Sequence, residues 1–259
     1  MSPVQGTHAS VTNALILRLL LMVLGLSLVC VRAARADTWS AGAVVTYNQS
    51  HWGDPTSTAQ MLMDDNFDSL YPTGVFVIGS TTPGFFIVFT GGGELGAFLP
   101  TSGLPGPLDS NYLNPTTTSA GLFAGEVAAL KLNIDFSNAG LLPNSSGLLV
   151  GDSVLTGLSG SESPLNGLSV EQFFSLSQTA LAGQVTSIGL ADIDNITANI
   201  NDAFDQVDGQ PDSFAQDHLV APGSSAAMPE PPTLLLAAVG VLAAAIFRKK
   251  RVLGRPNPI

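Results

Sequence analysis

The sequence predicts an α+β ectodomain, strand-rich in its first half and helix-rich in its second, followed by a C-terminal single transmembrane helix. Three observations carry this prediction. β-Branched and aromatic runs bounded by Gly, Pro, Ser and Asn fill the chain up to Thr90. Beyond Thr118 the apolar spacing changes from a period of two to one of about 3.6. Finally, the uncharged stretch from Thr233 to Phe247 is followed directly by Arg248-Lys249-Lys250-Arg251.

Taken in order, Ala43-Val-Val-Thr-Tyr47, Gly74-Val-Phe-Val-Ile-Gly79 and Phe85-Phe-Ile-Val-Phe-Thr90 read as strands. Between the first two, Ser57 to Leu70 reads as a helix with Ala59, Leu62, Met63 and Phe67 on one face and Asp64, Asp65 and Asp68 mostly on the other. Pro100 to Thr118 is a loop. Leu122, Phe123, Val127, Leu130 and Ile134 then recur at helical spacing behind Ser119, and Leu148-Leu-Val150 with Val154-Leu155 suggest one or two returning strands. Ser169 with Gln172 three residues on is a capping-box arrangement ahead of Val170, Phe173, Phe174 and Leu181. A last helix is written by Ile193, Ile196, Ile200, Phe204 and Val207, ending near Gly209-Gln-Pro211. Strands first and helices later make α+β the class.

Charge is divided along the chain. All 20 acids fall between Asp37 and Glu230, and of the 9 Lys and Arg only Lys131 lies among them, which gives that stretch a net charge of −19. A nucleic-acid partner is excluded for it, because phosphate neutralisation requires clustered bases. The N-terminal end has Arg18, an apolar run of 13 residues from Leu19 to Val31, and then Arg32-Ala-Ala-Arg-Ala36. That is the three-part pattern of a secretory signal peptide, with Ala34 and Ala36 as the small residues of a cleavage site that leaves Asp37 first. At about 1.5 Å per residue the run is too short to span a hydrocarbon layer of about 30 Å. Cys30, the single cysteine, lies inside this run behind Val29, where a lipoprotein site would carry a small residue. Once the signal is removed, disulfides, thiolate metal sites and cysteine nucleophiles are all excluded.

At the other end a linker, 221–228, leads to Pro229-Glu230-Pro231, a transmembrane segment over 232–247, the basic stop Arg248, Lys249, Lys250 and Arg251, and a tail over 252–259. The four bases orient the tail to the cytoplasm and the acidic middle to the outside. This order of motif, short apolar helix and basic cluster resembles the PEP-CTERM sorting signal of Gram-negative bacteria, over roughly the last 30 residues. The resemblance implies an exosortase, a membrane cysteine protease or transpeptidase, as the partner that reads Pro229, Glu230 and Pro231. It also implies transit through the inner membrane to the cell surface or an exopolysaccharide matrix. Met228 before the motif, the additional Pro232 and the longer tail are departures from the pattern. Signal peptidase and the Sec translocon are the partners implied by the N-terminal signal. A plain single-span anchor is the alternative, whereas a glycolipid anchor is excluded by the basic cluster.

Residues 37–220 show little chemistry. Gly91-Gly-Gly-Glu-Leu-Gly96 matches a dinucleotide-binding spacing literally, but Pro100 follows so closely that a Gly-rich turn is expected in place of a helix. His51 and His218 each lack a neighbour at metal-ligand spacing. Asp202, Asp205 and Asp208, with Asp192, Asp194 and Asp212 nearby, could offer oxygens to Ca²⁺, yet their spacing is not that of a calcium loop and they read as the solvated face of the last helix. His51-Trp52-Gly53 and Tyr71-Pro72 could stack on sugars, but read more simply as half-buried aromatics. No catalytic residue, metal ligand or cofactor is assigned. The expectation is an exported surface or matrix protein without evident catalytic activity. The alternative is a carbohydrate-active enzyme or a carbohydrate-binding adhesin on a permanent anchor.

Overall fold

The computed structural model describes residues 39–205 and 209–222. The expected signal peptide, the expected linker beyond Pro222, the expected sorting array and transmembrane segment, Val207 and Asp208 lie outside the described residues. Among the described residues no helix is long and apolar enough to cross a membrane. Helix makes up 45% and strand 8% of them, so the first half is less strand-rich than its composition suggests.

The centre of the fold is one helix. Residues Leu122–Asn138 (α4) pack against Gln49–Gly53, Phe76–Gly79, Val150–Asp152, Val170–Leu181 and Leu190–Asp202, and thirteen of the seventeen are buried. Most of its side chains are apolar or small, the composition of a helix enclosed by protein. Gly121 starts it with φ +55, and a Cβ there would collide with the Leu104 carbonyl. The turn therefore demands glycine, and the helix starts there rather than at the expected Ser119.

Around α4 lie Val170–Leu181 (α5) and Leu190–Asp202 (α6), which also pack on each other. α5 begins with the expected capping box: Ser169 accepts from the Gln172 N–H and the Gln172 side chain accepts from the Ser169 N–H. α6 buries Ile193, Ile196 and Ile200 but stops at Asp202, earlier than its apolar stripe implies. Phe204 is buried beyond the helix end, where its N–H donates to Thr46 Oγ1.

Strands Phe76–Gly79 (β1) and Phe86–Phe89 (β2) form an antiparallel pair with Phe76 opposite Phe89 and Ile78 opposite Ile87. Alternation places these four on the buried face, which packs toward α4 and α5. Tyr112–Leu113 (β3), inside the expected loop, adds to β2 in parallel. A second small sheet pairs Val154–Leu155 (β4) with Leu219–Val220 (β5), while Val150–Asp152 is a 3₁₀ turn and not a strand. Trp39 Nε1 donates to the Leu219 carbonyl at 2.9 Å, so both ends of the described fold meet at β5.

Two sequence expectations fail for identifiable reasons. Ala43–Tyr47 forms no strand: Ala43 and Val44 lie in a bend and Val45–Tyr47 has no regular structure. Its polar groups are met individually: the Tyr47 N–H donates to Asn133 Oδ1, the Tyr47 carbonyl accepts from Asn133 Nδ2, and Ser146 donates to the Ala43 carbonyl. A buried carboxamide thus supplies the donor and acceptor that a neighbouring strand would offer. The Gly-rich stretch is a helix, Gly92–Phe98 (α3), rather than a turn. Leu95 and Phe98 are buried, and Gly92 and Gly96 allow close approach to Phe67 and Gln60 of Thr58–Leu70 (α2). Pro100 limits its length, but seven residues fit before it. With fewer than two full turns, α3 is too short to present a phosphate site at its N-terminus.

Candidate functional site

The site is assembled from four separated parts of the chain. Asn48 caps the short helix Gln49–Gly53 (α1), its side chain accepting from the Ser50 and His51 N–H groups. The cap presents His51 at the outer face of α1. Ser57 caps α2 beside it, with its hydroxyl donating to the His51 carbonyl and accepting from the Gln60 N–H. The loop after α4 brings Pro143, Asn144 and Ser145, and the turn after α6 brings Asp205. Together they wall a cleft of about 680 Å³, within the range of about 300–1,000 Å³ usual for small-molecule sites.

Inside this cleft, His51 Nδ1 lies 2.6 Å from Asp205 Oδ1. The imidazole is 46% exposed, whereas the Asp205 side chain is only 6% exposed. Burial pushes the Asp205 carboxyl up to about 6, against the opposing pull of the His51 hydrogen bond and charge. The carboxylate orients the ring, and Nε2 is left as the nitrogen able to meet a ligand or a proton. Tyr47 stands edge-on to His51 at 6.1 Å and to Trp52 at 5.6 Å, its phenol raised by burial and by Asp205.

Behind the cleft runs a chain of buried polar groups. Gln49 Nε2 donates to Glu126 Oε1 at 2.6 Å, and Asn201 Nδ2 donates to Glu126 Oε2 at 2.8 Å. Gln49 in turn accepts from the Thr101 N–H, and Asn201 accepts from Asn133. Asn133 Oδ1 also accepts from Trp52 Nε1. Burial raises the Glu126 carboxyl to about 7, opposed by its bonds from Asn201 and Gln49 and assisted by Asp202 and Asp194. Asp194, also buried and raised by burial, has an Oδ1 without a partner.

Several sequence readings are corrected here. His51 does have a partner, 154 positions away. The acids of the last helix are not one solvated face: Asp202 is exposed, Asp194 is buried, Asp205 lies past the helix end and Asp212 caps Ser213–His218 (α7). Trp52 and Tyr71 are buried, at 0% and 8% exposure, so neither offers a stacking platform. His218 is held by the Thr156 carbonyl and packs on Phe214. Lys131, the one Lys or Arg among the described residues, pairs with Asp135 at 2.8 Å over the rings of Tyr71, Phe76 and Phe174. Among the described residues no group of three His, Cys, Asp or Glu is placed to hold a metal ion. Ala34, Ala36, Pro229, Glu230, Pro231 and Arg248 to Arg251 lie outside the described residues.

Gln49, Glu126, Asn133 and Asn201 were not singled out by sequence. For two of them a signal was there, a polar residue interrupting an apolar stripe: Glu126 between Phe123 and Val127, and Asn201 beside Ile200. No family model, curated protein or solved structure matches the chain.

Proposed function

We propose that this chain is an exported, non-enzymatic protein of the cell surface or extracellular matrix, delivered by its signal peptide and sorted by an exosortase at Pro229-Glu230-Pro231. The observation that carries the reading is the charge partition: an acidic middle of net −19 between two basic, apolar ends that each have the pattern of an address. One feature supports it: the apolar cluster of the described residues is built without cysteine, and the Trp39 to Leu219 bond joins the two ends of the described fold.

Mass spectrometry of the protein recovered from cell envelope and matrix tests this. The mature form is expected to begin at Asp37 and to lack Arg248–Arg251. Replacing Pro229, Glu230 and Pro231 by Ala together should trap the full-length C-terminus in the inner membrane. Recovery of the intact C-terminus as the stable surface form would reject exosortase sorting in favour of a plain anchor.

A second reading, an exported carbohydrate-active enzyme, is favoured by the His51–Asp205 pair, because an imidazole oriented by a buried carboxylate can act as a general base. Screening the chain for polysaccharide hydrolysis, with His51→Ala as the control, separates the two.

A further inference from the structure

We infer that the cleft between α1, α2, the loop after α4 and the turn after α6 is a binding site for a neutral sugar unit, with His51, Tyr47 and Thr58 as its polar contacts and Asp205 orienting His51. This rests on the reading of the chain as an exported surface protein and gives its acidic domain a ligand class.

The geometry supplies the first argument. Asp205 Oδ1 lies 2.6 Å from His51 Nδ1, so that nitrogen is taken up as donor to the carboxylate and Nε2 is the one left for a ligand. Among the described residues neither His51 Nε2, the Tyr47 phenol nor the Thr58 hydroxyl has a protein partner, and all three residues line the cleft. A phenol and a hydroxyl each donate and accept, and Nε2 accepts. Vicinal hydroxyl groups, which also donate and accept, are complementary to that set.

Charge supplies the second. Among the described residues no Lys or Arg lines the cleft, and the one described Lys, Lys131, is committed to Asp135. Phosphate, sulfate and carboxylate ligands therefore meet Asp205 and no counter-charge. Asp205 is engaged by His51, Asp54 by Thr56 and Asp202 by Asn48, so the described carboxylates at and beside the cleft are each committed to a protein partner before a cationic ligand arrives.

Shape supplies the third. The cleft has a volume of about 680 Å³, and its walls come from helix caps and turns fixed by side-chain bonds. Asn48 and Ser57 hold their own caps, while Asn144 bonds the Leu148 carbonyl and the Gly147 N–H. Ser145 donates to the Gly42 carbonyl. The surround is thus fixed before a ligand arrives, which lowers the ordering cost of binding.

The test is isothermal titration calorimetry on the full chain in detergent micelles with three neutral hexasaccharides, maltohexaose, cellohexaose and N-acetylchitohexaose, and with polygalacturonate as the anionic probe. At least one neutral probe is expected to bind, and polygalacturonate is not. His51→Ala should weaken that binding about tenfold and Tyr47→Phe about three- to tenfold, the loss of one hydrogen bond in each case. Val185→Ser, at a residue 99% exposed and away from the cleft, should leave it unchanged. Tyr47→Phe removes one oxygen and keeps the ring, so it remains informative if His51→Ala folds poorly. Three results would overturn the inference: no neutral probe binding at millimolar concentration, binding indifferent to both variants, or preference for polygalacturonate. None of these would alter the mature C-terminus, so a failure here is distinct from a failure of the sorting proposal.

Discussion

Replacing Glu126 by Gln should remove a pH dependence from the stability of the acidic domain. Glu126 is buried on α4 and its carboxyl is raised from 4.5 to about 7, burial being the larger cause. Because the folded value lies above the unfolded one, the folded state holds more protons than the unfolded state between those two values. Stability from this group is therefore full below pH 4.5 and falls as pH rises toward 7. At about 1.4 kcal/mol for each tenfold change in proton affinity, the loss is about 3 kcal/mol by pH 8.

Glutamine copies the protonated acid in shape and charge, so the stability difference between E126Q and the wild type should shift by about 2–3 kcal/mol in favour of E126Q between pH 5 and pH 8. Its amide nitrogen has two N–H groups and no acceptor, and it faces donors fixed by Thr101 and Asn133; that is a constant cost of about 1–3 kcal/mol at every pH, separate from the shift. Urea unfolding at pH 5, 6, 7 and 8 reads the effect through Trp39 and Trp52, both buried. Asp205, Asp194 and Asp212 are also raised by burial and tilt both proteins alike, so the difference between them is the measurement. Parallel pH profiles for the two would refute the reasoning.

Other expected outcomes concern packing and backbone. Asn133→Ala strands the Tyr47 N–H and carbonyl and Trp52 Nε1, and should cost about 3 kcal/mol or more in urea unfolding, since each buried group left unmet costs about 1–3 kcal/mol; a loss below about 1 kcal/mol would contradict its role as a strand substitute. Gly53→Ala drives a Cβ into the Leu99 carbonyl and should destabilise by about 2–3 kcal/mol in thermal melts. Gly140→Ala, at φ +68 with open space around it, should lose only about 1 kcal/mol, so equal losses would show that steric contact is not the cause. Trp39→Phe removes the donor to Leu219 while keeping a ring against Phe204; a drop of about 1 kcal/mol and faster proteolysis near β5 are expected.

Much of the fold is legible along the chain where local signals agree. The Ser57 cap with Ala59, Met63 and Phe67, and the Ser169–Gln172 box with Val170 and Phe173, each write start and face together, and both helices form there. The runs around Phe76 and Ile87 form strands near their expected bounds. Val44 and Val45 carry as strong a strand signal, yet no strand lies beside them. Whether a segment with such a signal joins a sheet depends on what packs alongside, and here that is Asn133 of α4, 86 positions from Tyr47. The helix at Gly92–Phe98 exists for the same kind of reason, its glycines valued for the closeness of α2 and not for their own preference.

By itself the sequence determined the partition of charge, the absence of cysteine from the acidic stretch, and two basic, apolar ends, because these depend only on composition and order. The cleft was decided by tertiary structure alone. His51 and Asp205 are 154 positions apart, and only the packing of α1 and α6 on α4 brings an imidazole against a carboxylate. The same packing turned Glu126 from an ordinary acid into a buried one, since an ionisable group takes its proton affinity from the medium around it and that medium is set by neighbours the sequence does not list in order.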